Sequence, residues 1–392
     1  MLITLHISSL LTIIAITITL MLSFLLYFLH KGNQRANKVL SLILGVSSFL
    51  ALLDILNNEQ ATSSSLLYSI YSLQLIIGPS LYFYTRLMTQ ANFKWHIVQL
   101  WHILPIILSF IIWQLQPGYY LSNGIESINC YWVTNNCSIL YQGRFIHRFA
   151  AIISALVYLT ASLHTLRAHQ KNIKNSYSAI EEVNLNWLNV YIYTMFTLTL
   201  WALLFEIYIN ITGALNKDTS GLSVYSSIPL LTSLFIGSFG LFQRKILLEH
   251  VIEEDISFSP AATNKIKKYK TSSLTEEGAK NIWVNLQKYM LSENPHLEAS
   301  LKVSDLAQKI DVPTNHLSET INGYAKQSFY EFINQHRIEE ASRLLRGKEF
   351  ISLSITDIGY QSGFNSNSTF FSHFKKIQGK TPREYRQEVV NA

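Results

Sequence analysis

Cys130 and Cys137 are the only two cysteines in this chain of 392 residues. They could close a disulfide if the loop that carries them faces an oxidising compartment; otherwise they are two thiols in a loop. Four ionisable residues, Asp54, Glu206, Arg144 and Arg148, lie within or beside long apolar runs, where charge is costly and often functional. Opposite charges placed this way could line a ligand pocket. The more ordinary reading is an internal ion pair or helix-end carboxylates in the headgroup region. The sequence has no HExxH, CxxC, GxSxG or phosphate-loop pattern and no kinase motifs. No catalytic residue, metal or cofactor is therefore expected, and the chain does not read as an enzyme.

The elements that carry these residues are unevenly composed. Hydrophobic residues make up 49% of the chain and charged residues only 14%. No Lys, Arg, Asp or Glu occurs from Met1 to His30. A helix needs roughly 20 apolar residues to cross a hydrocarbon core about 30 Å thick. Seven stretches are expected to do so: 2–29, 39–56, 66–88, 97–115, 147–166, 187–211 and 224–243. Pro79, Pro105 and Pro229 could kink three of them. The first stretch is too long for a signal peptide and lacks a basic leading region. Its positive charges, Lys31, Arg35 and Lys38, follow it. Arg86 and Lys94, then Arg167, Lys171 and Lys174, then Arg244 and Lys245 follow the third, fifth and seventh stretches. Ten basic residues thus fall on one side, against Arg144, Arg148 and Lys217 on the other. The positive-inside rule places the N-terminus outside, the Cys130–Cys137 loop outside and the C-terminal part in the cytoplasm. The inner (cytoplasmic) membrane is the expected location.

Residues 1–243 thus read as a seven-helix membrane domain, 244–273 as a cytoplasmic linker and 274–392 as a soluble all-α domain. Lys265, Lys267, Lys268 and Lys270 give the linker a basic cluster that reads as a solvated connector, with lipid headgroups or DNA phosphate as other destinations. From Asn264 onward, 18 Lys and Arg stand against 14 Asp and Glu, an excess compatible with nucleic acid or simply with solubility. Capping boxes are expected at Ser273-Leu-Thr-Glu276, Ser328-Phe-Tyr-Glu331, Ser354-Ile-Thr-Asp357 and Thr381-Pro-Arg-Glu384. Two stretches have a helix-turn-helix shape. In the first, Val303–Ile310 precedes Asp311-Val312-Pro313 and a helix from Thr314. In the second, Ser354 to about Ser362 precedes Gly363-Phe364-Asn365 and a helix from Ser366 to about Gln378, with Phe370, Phe374 and Ile377 facing inward. A long helix ending near Gly347 joins them. A major groove about 12 Å wide admits one such helix.

Residues 274–386 resemble the DNA-binding domain of the AraC family of bacterial regulators. The likeness is carried by Ile355-Thr-Asp-Ile-Gly-Tyr-Gln-Ser-Gly-Phe through Phe374-Lys-Lys, Gly379-Lys-Thr-Pro and Tyr385-Arg386. Leu306-Ala307, Leu317-Ser318, Phe329, Phe332 and Arg337-Ile-Glu-Glu-Ala341 carry it in the first unit. The resemblance implies a sequence-specific transcription factor with two recognition helices. Asn315, Ser318 and Glu319 would face bases from the first helix, and Asn367, Ser368, Phe371 and Ser372 from the second. Glu319 departs from the basic residue common at its position. Lys375, Lys376, Lys380 and Arg383 would contact phosphates. The seven apolar stretches resemble the family variant with a multi-pass membrane domain in place of a soluble sensor.

The expected function is a one-component membrane regulator whose signal passes through 244–273. A transporter or enzyme domain fused to a regulator, and a passive anchor, are the competing readings. Expected partners are double-stranded DNA, the lipid bilayer and a signal ligand of unspecified chemistry, with a second copy of the chain and RNA polymerase as further candidates.

Overall fold

The computed structural model describes residues 7–30, 32–59, 70–90, 93–115, 139–181, 183–212, 234–240, 274–347, 350 and 352–391. All regular elements among them are helical, apart from one isolated bridge between Tyr177 and Lys302. The chain divides into two compact units, Met1–Arg167 with Leu185–Glu254, and Ala168–Asn184 with Asp255–Ala392. The loop carrying Cys130 and Cys137 and the linker 244–273 lie outside the described residues.

The first unit contains α1 (Ile7–Phe28), α2 (Gln34–Glu59), α3 (Ile77–Thr89), α4 (Leu104–Leu115), α5 (Ile139–Ile173) and α6 (Asn186–Thr212), and a helical stretch at 234–240. Its core gathers Leu26, Leu40, Leu44, Tyr84, Leu188 and Ile236. Gly240 permits close approach there, since a Cβ would collide with Leu40. Ser23 and Ser41 clasp α1 to α2, each hydroxyl donating to the other's carbonyl at 2.8 and 2.7 Å, as suits helix pairs short of water. Phe24, Trp101, Leu204 and Ile211 are among many large apolar side chains left exposed.

Seven spans were expected. Among the described residues, three helices are long and apolar enough to cross a membrane: Gln34–Leu53, His147–Ile173 and Asn186–Tyr208. Thr12–Phe28 and Ile97–Ile111 are shorter apolar helices. Within the third and fourth expected spans, tighter 3₁₀ segments at Tyr71–Ile76 and Ile97–Ile103 lead into α3 and α4. Pro79 and Pro105 sit where these 3₁₀ segments pass into α3 and α4. Of the seventh span, only 234–240 is described.

The second unit is built from α7 (Glu276–Glu293), α8 (Val303–Lys309), α9 (Thr314–Tyr324), α10 (Phe329–Arg346), α11 (Ile355–Gln361), α12 (Asn367–Gln378) and α13 (Pro382–Asn391). The capping boxes at Ser328, Ser354 and Thr381 form. The expected box at Ser273 does not start α7: Thr275 is the cap, accepting from Gly278 N–H at 3.1 Å. α10 supplies Phe329, Phe332 and Ile333 to one core and Ile338, Ala341, Leu344 and Leu345 to a second. One rigid helix therefore anchors both helix-turn-helix units.

Candidate nucleic-acid interface

Each turn is made by a left-handed residue. Asp311 takes φ 54° between α8 and α9, and Gly363 takes φ 88° between α11 and α12. Val312 N–H then reaches back to Ala307 O at 3.0 Å, and Phe364 N–H to Gly359 O at 3.1 Å. Leu317 and Ile321 bury one face of α9, and Phe370 and Phe374 bury one face of α12. Phe364 packs beside Phe370 at 5.3 Å between ring centres. Ile377, expected inward, is 41% exposed. Burial repeats four residues on from Phe374, so Gln378 takes the inward place and donates to Ser342 Oγ at 3.1 Å.

The opposite face of α12 is polar and open. Asn367, Ser368, Phe371 and Ser372 are exposed, as are Lys375 and Lys376. Ser368 shares a 2.8 Å hydrogen bond with Ser366, the helix cap, which restrains both hydroxyls. On α9, Asn315 is exposed while Ser318 and Glu319 are half-buried. Arg383 is exposed at the start of α13, whereas Lys380 pairs with Glu388 and lies 5.8 Å from the Tyr385 ring.

Beneath these faces lies Arg337, 1% exposed. Its guanidinium donates to the carbonyls of His296 at 2.8 Å, Glu298 at 2.7 Å and Ser178 at 3.1 Å, and to Ser178 Oγ at 3.0 Å. Burial lowers its pKa to about 10, with Glu181 opposing that shift, so it stays charged at neutral pH. His296 is pushed down to about 4, chiefly by burial and then by His336. Tyr330 is raised to about 12 by burial and the Glu181 charge, and its hydroxyl meets His373 Nε2 at 3.0 Å, joining α10 to α12. No sequence pattern marks Ser178, Glu181 or Thr369, and Arg337 stands out only within the Arg337–Ala341 motif.

Of the four ionisable residues singled out in the first unit, Arg148 on α5 and Glu206 on α6 form an ion pair at 3.5 Å, with Glu206 buried. The side chains of Asp54 and Arg144 lie outside the described residues. Among the described residues no group of His, Cys, Asp and Glu is placed to hold a metal.

Residues 306–388 match the helix-turn-helix domain family, so the chain carries an AraC-type helix-turn-helix domain at its C-terminal end. An uncharacterized HTH-type transcriptional regulator of Staphylococcus aureus strain COL is 33% identical over 91 residues, 23% of this chain and 12% of that protein. The Msm operon regulatory protein of Streptococcus mutans serotype c is 31% identical over 93 residues, 24% of this chain and 32% of that protein. The chain thus spans a third or less of the length of these relatives. No solved structure matches.

Proposed function

We propose that this protein is a membrane-embedded transcription regulator that binds specific DNA sequences through α9 and α12. The observation that carries the reading is the pairing of two helix-turn-helix units on one strut, α10, with the outer face of α12 free of core contacts. The names of the relatives, both regulators, support it. In this reading Asn367, Ser368, Phe371 and Ser372, with Asn315, Ser318 and Glu319, read base edges. Lys375, Lys376 and Arg383 meet phosphates. Lys380 contributes less because Glu388 already neutralises it.

The apolar helices α1–α6 and the stretch at 234–240 belong, on this proposal, to a seven-span bundle with its N-terminus outside and α7–α13 in the cytoplasm. The exposed apolar surface of α1, α4 and α6 supports lipid contact. The bundle senses a signal, and the Arg148–Glu206 pair is the candidate responding group. A second copy of the chain and RNA polymerase are proposed partners on DNA.

The test is to express the full chain in a bacterial host, wash membranes with alkaline carbonate and sequence DNA cross-linked to the protein. Retention in the membrane with discrete genomic peaks is expected. Release by carbonate would overturn the membrane reading, and uniform DNA coverage would overturn the regulator reading.

A further inference from the structure

The connection between α5 and α6 does not stand apart as a plain loop; it is built into the DNA-binding unit. We propose that residues 174–181 are an inhibitory latch: strapped to the first helix-turn-helix and to Arg337, they set the Glu181 carboxylate on the first turn of the second recognition helix, and DNA binds when the latch lifts. The proposal rests on the DNA-binding reading above.

The strap is made of backbone. Tyr177 and Lys302 form an antiparallel bridge, with Ser178 N–H donating to Leu301 O at 3.1 Å and Val303 N–H to Ser176 O at 3.0 Å. These partners lead directly into α8. Tyr330 N–H, an orphan donor of the first turn of α10, finds Lys174 O at 2.9 Å. Ser178, buried, satisfies two of the Arg337 donors and receives a third bond from Asn334 Nδ2 at 3.4 Å. The segment also folds back on the end of α5, where Gln170 Nε2 donates to Asn184 O at 2.8 Å. It therefore joins the first helix-turn-helix, the strut and α5.

The sign of the effect comes from Glu181. Its Oε1 accepts from Thr369 Oγ1 on α12, while its Oε2 is buried without a hydrogen-bond partner. A half-satisfied buried carboxylate is a contact poised to be lost. It also places negative charge beside Asn367 and Ser368, well within the Debye length of about 8 Å over which an approaching phosphate is repelled. α5 and α6, the helices that bracket the segment in sequence, are themselves joined by the Arg148–Glu206 pair. A signal that shifts these two helices would pull on the strap.

The test uses the full chain in lipid nanodiscs and a pool of random-sequence 40-bp duplexes at low salt. Glu181→Ala and Glu181→Gln should each raise affinity at least about fivefold, the lower range of allosteric coupling. In the unaltered protein, hydrogen exchange at the amides of Ser178, Val303 and Tyr330 should quicken when duplex is bound. Unchanged or weaker binding by both variants would overturn the latch, as would unchanged protection at those amides on binding. If neither the unaltered protein nor the variants bind any duplex, the DNA-binding reading falls and takes the latch with it.

Discussion

The first helix-turn-helix turns at Asp311 and the second at Gly363, both left-handed, yet the two turns tolerate different chemistry. Asp accepts this conformation at modest cost because its short polar side chain can bond locally. At Gly363, a Cβ would collide with the His296 carbonyl and come within 2.9 Å of Leu297 Cα, both backbone atoms that cannot swing aside. The helices that follow differ too. α9 starts at Pro313 with no side-chain cap, whereas α12 is capped by Ser366. The second helix-turn-helix is therefore the more tightly specified of the two. Its turn is fixed by backbone packing, its second helix by a cap, and Glu181 accepts a hydrogen bond from Thr369 on that helix.

The largest effect should come from the residue under both units. Arg337→Ala leaves the His296 carbonyl without its donor and takes one donor each from the Glu298 and Ser178 carbonyls, so the DNA-binding unit should lose roughly 3–5 kcal/mol. Native-state hydrogen exchange across α10–α12 in the full chain measures this. Gly363→Ala should cost about 3 kcal/mol, combining left-handed strain with backbone collision. Asp311→Gly should be close to neutral. Equal costs at the two turns would erase the difference drawn between them.

Acid should attack the second turn through His296. Its folded pKa lies below its ordinary value, so between pH 6.5 and about 4 the unfolded chain binds a proton that the folded chain does not. Stability is whole above pH 6.5 and falls by roughly 2 kcal/mol on approach to pH 4. His296→Leu should flatten that part of the profile when exchange is followed against pH.

Smaller effects separate reading from anchoring. Asn367→Ala should cost about 1–3 kcal/mol at one base-pair position and little elsewhere. Asn315→Ala tests the same role on the first helix, at a different base pair. Lys375→Ala should weaken all sequences alike and lower the salt slope by about one, while Lys380→Ala should change it less. Competition binding across a duplex panel at several salt concentrations reads both.

Much of the second unit was legible because its signals are local. Ser328, Ser354 and Thr381 each meet a carboxylate three residues on, so spacing alone locates the helix starts. Thr275 displaced Ser273 because two capping residues stood two positions apart and sequence does not rank them. Ile377 looks inward by apolarity alone, but the four-residue step from Phe374 falls on Gln378. The strap was not legible at all. Ser178 and Arg337 are 159 residues apart, and Glu181 and Thr369 188. Neither residue of the strap carries a motif. Arg148 and Glu206 are visible as charges in or beside apolar helices, with an internal ion pair among the readings, but which two charges meet is seen only in the fold.

The most direct measurement is selection of duplexes from a random pool by the full-length protein, repeated with Asn315→Ala and Asn367→Ala. Two recognition helices on one strut predict an enriched site with two half-elements about 10–10.5 bp apart, each relaxed by only one of the substitutions. Recovery of no sequence above the starting pool, or of a site that both substitutions leave unchanged, would contradict it.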